Sequence, residues 1–342
     1  MINVRFFLSV FLLLSFHSRA QADERVGSFQ IDQILMRPTL VSHETEGEEF
    51  SLSDSSLTVS WKRDEKIAAY FTLGSELSRY MPIYYNVTPE DKIAFTEAYA
   101  QYENAYGRFR FGLIPLNFGY DAVIKSSERY FKRALPYSEG LIGVRDYGMS
   151  YFTSHRGYYT QLAFHNGEID STSDGRLWTS ANWGYTNERT WTVQMSLQTG
   201  YVKGTVSQGA SYTIAGAVPG ITAKWRNGLF YAHWHPRNWN VVFQAGGGEV
   251  DQDQDTGRYY TSMLEVTRLF SKNFGAGIRV DEFDPNRNLN DDKITESSLL
   301  LLFKSADSTS DFYLLGTKVI EEANEQPNDE LRLVWLLTPN SR

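Results

Sequence analysis

Five cations gather in one stretch of a chain that is otherwise acidic. Between residues 116 and 145 stand Lys125, Arg129, Lys132, Arg133 and Arg145, against Asp121, Glu128 and Glu139. The whole chain carries 33 Lys and Arg against 41 Asp and Glu, so this stretch reverses the sign of its surroundings. Fixed cations beside a low-dielectric wall concentrate anions and repel cations. On a merely solvated loop the same residues would pair with Glu128 and Glu139 and do nothing more.

Histidine chemistry is sparse. His233 and His235 sit two apart on one strand face, half of a metal site, with no third ligand near in sequence. Tyr231, Trp234 and Trp239 around them suggest an aromatic belt instead. His165 could serve a serine hydrolase, but no nucleophile-bearing motif accompanies it. The Asn166-Gly167 pair beside it reads as the turn that ends a strand. His155 falls in a tight turn. Asp251, Asp253 and Asp255 imitate the start of a calcium loop, yet the glycine comes one place late and Ser262 stands where the closing Glu belongs. That run and the one at 284–292 read as solvated surface loops. We therefore expect no catalytic residue, no metal and no cofactor. The net acidity, without a basic patch, argues against nucleic acid.

The elements that would position the cations are strands. Trp191, Val193, Met195 and Leu197 alternate with Thr192, Gln194, Ser196 and Gln198, one face apolar and the other polar. Phe109, Phe111 and Leu113 oppose Arg108 and Arg110. Phe274, Ala276, Ile278 and Val280 oppose Arg279 and Asp281, and Leu331, Leu333, Trp335 and Leu337 share the last apolar face. Short turns are expected at 62–66, 104–107, 154–157, 236–238, 271–273 and 305–310. Longer stretches alternate with them near 78–93, 116–145, 166–175, 250–257, 284–293 and 320–328. Gly246-Gly247-Gly248 should end a strand or relieve curvature, and 201–228 is ambiguous. A soluble β-sandwich would share the alternation, but each apolar face would then need a partner sheet in water. Closed in lipid, none does. The fold expected is all-β: a transmembrane antiparallel up-and-down β-barrel of about 16–18 strands.

The start of the chain places it in an export route. Arg5, the apolar run 6–16 and Ala20-Gln21-Ala22 form a secretory signal peptide over 1–22. Removing Arg5 and Arg19 leaves 31 cations against 41 acids, a net charge of −10. Residues 23–342 then form a single barrel domain, with the loop near 116–145 folded inward. Cysteine is absent and aromatics make up 15%. That suits a barrel with aromatic girdles better than a disulfide scaffold.

Several blocks resemble the phosphate-selective porin O and P family of outer-membrane channels. They are the run AYAQYENAYGRFRFGLIPLNFGYD from Ala98, ERYFKRALP from Glu128, RDYGMSYF from Arg145, YTQLAFHNGE from Tyr159 and GIRVDEFDPNRNLNDD from Gly277. The chain departs from the pattern in ending on WLLTPNSR where barrels commonly finish on an aromatic, and in having few pore arginines beyond the third loop. The resemblance implies a homotrimer in the cell outer membrane, in contact with its lipid and lipopolysaccharide. It implies no enzyme but a channel for ion transport and passive diffusion of small hydrophilic or anionic solutes. Phosphate selectivity is not carried over. The constriction residues expected are Lys125, Arg129, Lys132, Arg133 and Arg145. The alternatives are a barrel enzyme of lipase or protease type and a plugged structural or adhesive barrel.

Overall fold

The structure is a computed structural model. It describes residues 27–44, 47–52, 54–75, 93–138, 142–167, 176–187, 189–202, 222–252, 255–290, 292–305, 309–322 and 329–339. The 1–22 stretch expected as a leader, Glu139 and most of the 78–93 and 201–228 stretches lie outside these.

Among the described residues eighteen strand segments join in one antiparallel sheet. They are β1 (Ser28–Leu35), β2 (Thr39–His43), β3 (Gly47–Ser51), β4 (Ser56–Lys62), β5 (Ile67–Ser75), β6 (Ile93–Asn104), β7 (Gly107–Pro115), β8 (Arg145–His155) and β9 (Tyr158–His165). The rest are β10 (Trp178–Thr186), β11 (Trp191–Val202), β12 (Ala223–Trp234), β13 (Trp239–Gln252), β14 (Asp255–Leu269), β15 (Phe274–Asp284), β16 (Ile294–Lys304), β17 (Ser310–Glu321) and β18 (Glu330–Leu337). From β4 onward each segment pairs with the next.

Two pairs of segments are halves of single staves. β1 pairs with β4 and β2 with β3 in nearly one register, Leu35 opposite Ser56 and Thr39 opposite Ser51. Pro38 cannot donate to a ladder and interrupts the first stave. The eighteen segments are therefore sixteen staves. β18 pairs with β2, and the interruption itself is tied to β18, Met36 N–H donating to Leu337 O at 3.0 Å and Trp335 N–H to Pro38 O at 3.0 Å. The first stave thus meets both the second and the last, and the ring of pairing returns on itself.

The connections sort into two rims. One rim has tight turns at 63–66, 105–106, 156–157, 187–190, 235–238, 270–273 and 305–309. Asp64 closes the first by accepting the N–H groups of Lys66 and Ile67, both at 2.8 Å, and these bonds hold its carboxyl below its usual range. At the other rim longer stretches, among them 116–144, join the strands, while only three residues separate β2 from β3 and two separate β13 from β14. The sequence reading of 250–257 as a long loop is corrected: β13 and β14 continue to Gln252 opposite Asp255. The glycines at 246–248 do not end β13 either. They lie mid-strand, paired on both sides, and a Cβ on Gly248 would strike the Tyr259 ring.

The alternation sets the two faces. Phe111, Met149, Phe164, Met195, Phe230, Leu264, Ile278, Leu299 and Leu333 are exposed on the outside. At the tight-turn rim the outer rings meet across strands. Phe109 lies 4.6 Å from Tyr151, Tyr158 4.9 Å from Tyr185, Trp191 6.1 Å from Trp234 and Phe312 5.3 Å from Trp335. An apolar band edged by aromatics matches a bilayer and its interface. In the described residues no helix is long and apolar enough to cross a membrane; the strands do so.

The densest packing is inside the ring. Phe118, Tyr120, Leu135, Tyr137 and Ile142 from the 116–144 loop pack on Trp225, Leu229, Tyr231, Val242, Met263 and Phe283 of the wall. Tyr231 therefore points inward and does not join the outer belt of Trp234 and Trp239.

Candidate functional site

The 116–144 loop leaves β7 at Pro115 and folds into the lumen. Polar side chains of the wall receive its first turn. Asn182 Nδ2 donates to Leu116 O at 3.0 Å, Gln194 Nε2 to Asn117 O at 2.8 Å, and Asn117 Nδ2 to Gln161 Oε1 at 2.7 Å. Tyr120 N–H then donates to Gln244 Oε1 at 2.8 Å. The chain passes Gly119 with φ 77°, where a Cβ would collide with the Tyr137 hydroxyl. Only glycine suits that approach. Short helical turns follow at Tyr120–Val123, Ser126–Glu128 and Leu135–Ser138.

Ion pairs fasten the far half. Arg279 on β15 meets Asp121 and Asp281, each at 3.2 Å, with Glu265 at 3.8 Å. Its Nη1 also donates to Lys132 O at 2.6 Å, and Leu135 N–H donates to Asp281 at 2.9 Å. Lys132 pairs with Glu330 and, at 3.9 Å, with Glu296. Asp54, in the break of the second stave, receives Arg129 at 2.8 Å and Arg37 at 3.1 Å. Tyr130 Oη donates to Asp311 at 2.8 Å. Burial pushes the phenols of Tyr120, Tyr130 and Tyr137 well above their usual range, the Asp311 carboxylate adding to it for Tyr130. All three stay neutral.

The five cations expected from sequence are not one cluster. Arg129, Lys132 and Arg133 turn toward the wall; Arg129 is 2% exposed, and Arg133 Nη1 donates to Asp121 O at 2.7 Å. Lys125 stays exposed beside Glu128 at 3.6 Å. Arg145 begins β8 and pairs with Glu97 at 3.0 Å. The sign reversal read along the chain is answered across it. Arg37, Arg129, Lys132, Arg279 and Arg332 pair with Asp54, Asp121, Glu265, Asp281, Glu296 and Glu330, and Arg133 stands among them on the Asp121 carbonyl. The contact is balanced.

The wall that the loop leaves uncovered is different. On β5 to β9, Tyr70, Gln101, Glu103, Arg108, Arg110, Phe152 and Tyr159 face the lumen half-buried. Arg108 pairs with Glu103 at 3.1 Å, and Arg110 Nε donates to Gln101 at 3.0 Å. These arginines were visible in the sequence as the polar partners of Phe109 and Phe111, but nothing local said that they line the open side.

No known family matches the sequence, and no curated protein does. Solved structures do match the fold. OmpT, an outer membrane protein of Vibrio cholerae, in its trimer form superposes with a TM-score of 0.66 at 10% identity, over 92% of this chain and 99% of that one. An anion-selective porin from Comamonas acidovorans gives 0.65 at 12%, over 91% and 99%. The outer membrane channel DcaP of Acinetobacter baumannii gives 0.66 at 9%, over 94% and 99%. The chain has the fold of the outer-membrane porin barrels.

One constellation within this porin-fold barrel was missed in sequence. Asp146 Oδ2 lies 2.7 Å from His165 Nδ1, and Ser180 Oγ lies 2.7 Å from His165 Nε2, across β8, β9 and β10. That is the order of a Ser-His-Asp relay. Three separate strands supply the residues, so no motif announces them. Ser180 is 1% exposed, and His165 and Asp146 are equally enclosed. A nucleophile needs room for a carbonyl carbon within about 3–3.5 Å of it, and Ser180, at 1% exposure, presents little surface to one. Asp146 also accepts Gly167 N–H, so the trio ties the root of the 166–177 connection to the wall. His233 and His235 have ring centroids 4.4 Å apart, and His233 Nε2 lies 2.5 Å from Asn240 Oδ1. Among the described residues no group of three acidic, histidine or cysteine side chains could hold a metal.

Proposed function

We propose that the mature chain, residues 23–342 after removal of the 1–22 leader, is a porin-like channel. It passes small hydrophilic solutes passively and modestly prefers anions. The observation that carries this reading is the unequal lumen: a loop fastened to one wall, and a half-exposed polar wall left opposite it. A water-filled passage removes the cost of desolvating a solute in the bilayer, and the loop sets the bore. In this reading all five cations belong to the constriction, in two roles. Arg129, Lys132 and Arg133 hold the loop against the wall. Lys125 and Arg145, with Arg108 and Arg110 on the uncovered wall, set the field that a passing ion meets. The resemblance to the phosphate-selective porins extends to the inward loop and its arginines; phosphate selectivity is not part of the proposal, because most loop arginines already face carboxylates. A homotrimer seated in lipid and lipopolysaccharide is the proposed assembly, in keeping with the trimer form of the Vibrio cholerae protein.

The barrel-enzyme reading rests on Asp146, His165 and Ser180 and is set aside because Ser180 is enclosed. The two readings separate in one preparation. Purified protein in planar bilayers should give stepwise conductance, and Ser180→Ala should leave it in place. Ester or amide turnover lost in Ser180→Ala would favour the enzyme.

A further inference from the structure

The lumen face of β5 to β9 carries a continuous run of rings and guanidinium groups. Tyr70 and Tyr99 stack with centroids 5.2 Å apart. The Arg110 guanidinium lies over the Tyr99 ring at 4.9 Å. Arg108, two residues along on the same face, lies over Phe152 at 5.6 Å, and Phe152 stacks on Tyr159 at 6.1 Å. Direct register joins them, Tyr70 opposite Tyr99 and Arg108 opposite Phe152. The run slants across five strands; Tyr99, 8% exposed, packs with Leu116 at the root of the loop, while Tyr70, Arg108, Arg110, Phe152 and Tyr159 stay half-exposed.

Arg110 is unusual among the lumen arginines. Arg37, Arg108, Arg129, Arg145, Arg279 and Arg332 each meet a carboxylate. Among the described residues Arg110 meets none; its Nε is held by the neutral Gln101 amide. That bond and the ring beneath fix the plane of the guanidinium, and its Nη groups bond no described residue. A fixed guanidinium fork matches a carboxylate by two parallel hydrogen bonds. The flanking rings offer flat apolar faces for whatever carries that carboxylate.

Resting on the channel reading above, we propose that this track is a binding site for small planar organic carboxylates. Arg110 takes the carboxylate, and the half-exposed Phe152 and Tyr159 rings take the flat body. Simple ions pass the track without stopping, whereas a planar carboxylate pauses there. Arg108 has a lesser part, because Glu103 already occupies it.

The test uses the full mature barrel in a planar bilayer in potassium chloride, with benzoate as probe and acetate as the comparator lacking a ring. Benzoate should reduce the chloride current saturably, and acetate at equal concentration should not. Arg110→Gln should raise the half-saturating benzoate concentration about tenfold, the size of one charge-assisted hydrogen bond. Phe152→Leu should raise it severalfold, without changing the response to acetate. Potassium chloride steps in each variant report that it has folded. Equal effects of benzoate and acetate, or half-saturation unmoved by both substitutions, would overturn the track and leave the channel standing. Absence of any potassium chloride steps would overturn the channel and the track together.

Discussion

The two halves of the lumen wall are built from the same alternating strands and end in opposite states. On β11 to β18 the inward side chains are mostly buried against the loop: Gln194, Ser196, Gln244, Met263, Arg279 and Asp281. On β5 to β9 many inward side chains stay half-exposed. One wall spends its charges on holding a loop; the other keeps them for the lumen. A lumen arginine therefore has two possible fates, and its sequence neighbours do not decide which. What decides is whether the loop reaches it.

The comparison breaks most visibly at Arg279. Arg279→Met would leave Asp121, Asp281 and Glu265 enclosed without their shared cation, at a cost of about 3–5 kcal/mol. Thermal unfolding in detergent should show the loss, and the open-channel current should become noisy as the loop detaches. Parent-like stability and quiet current would mean that the loop is held by its apolar contacts alone.

A second test contrasts outside with inside. Met195→Arg, in the apolar band, should cost about 2–4 kcal/mol if it lies near the midplane. Ser154→Arg, facing the lumen on the uncovered side, should stay within about 0.5 kcal/mol. Equal costs in a refolding titration into lipid would contradict the facing of the strands.

Smaller again is the difference between two glutamines. Gln194→Ala removes the donor to the enclosed Asn117 carbonyl and should cost about 1–3 kcal/mol, while Gln101→Ala on the open wall should cost less. Denaturant midpoints of the two variants order them directly.

The finest effect is on ion preference. Replacing Arg129, Lys132 and Arg133 together by Gln frees the wall carboxylates Asp54, Glu296 and Glu330. The reversal potential should move toward cations at low salt. In 1 M salt, where the Debye length is about 3 Å, the shift should shrink. An unmoved reversal potential would show that these residues lie outside the field of the pore.

The outer surface was the most legible part of the fold. Trp191 to Leu197 alternate because lipid lies on one side, and period two survives in a single strand. The tight turns were legible for a similar local reason. Closure was less so: the sequence suggested sixteen to eighteen strands with 201–228 ambiguous, and the two interrupted staves count as one each only through the pairing of β1 with β4 and of β2 with β3 and β18. Gln194 was correctly turned inward, but it meets the loop at 2% exposure and not open water. The loop's bonding was half legible. Its cations stand out along the chain, but the partners Asp54, Glu97, Glu296 and Glu330 lie far from them in sequence. So do Asp146 and Ser180 from His165, and ion pairs between staves leave no spacing to read.

A loop that narrows the lumen without closing it leaves a conducting pore. Single-channel recording of the purified mature protein across a low-salt gradient should then give discrete, ohmic conductance steps whose reversal potential lies modestly on the anion side. A barrel that inserts into the bilayer and passes no current would be plugged, and would contradict the channel reading.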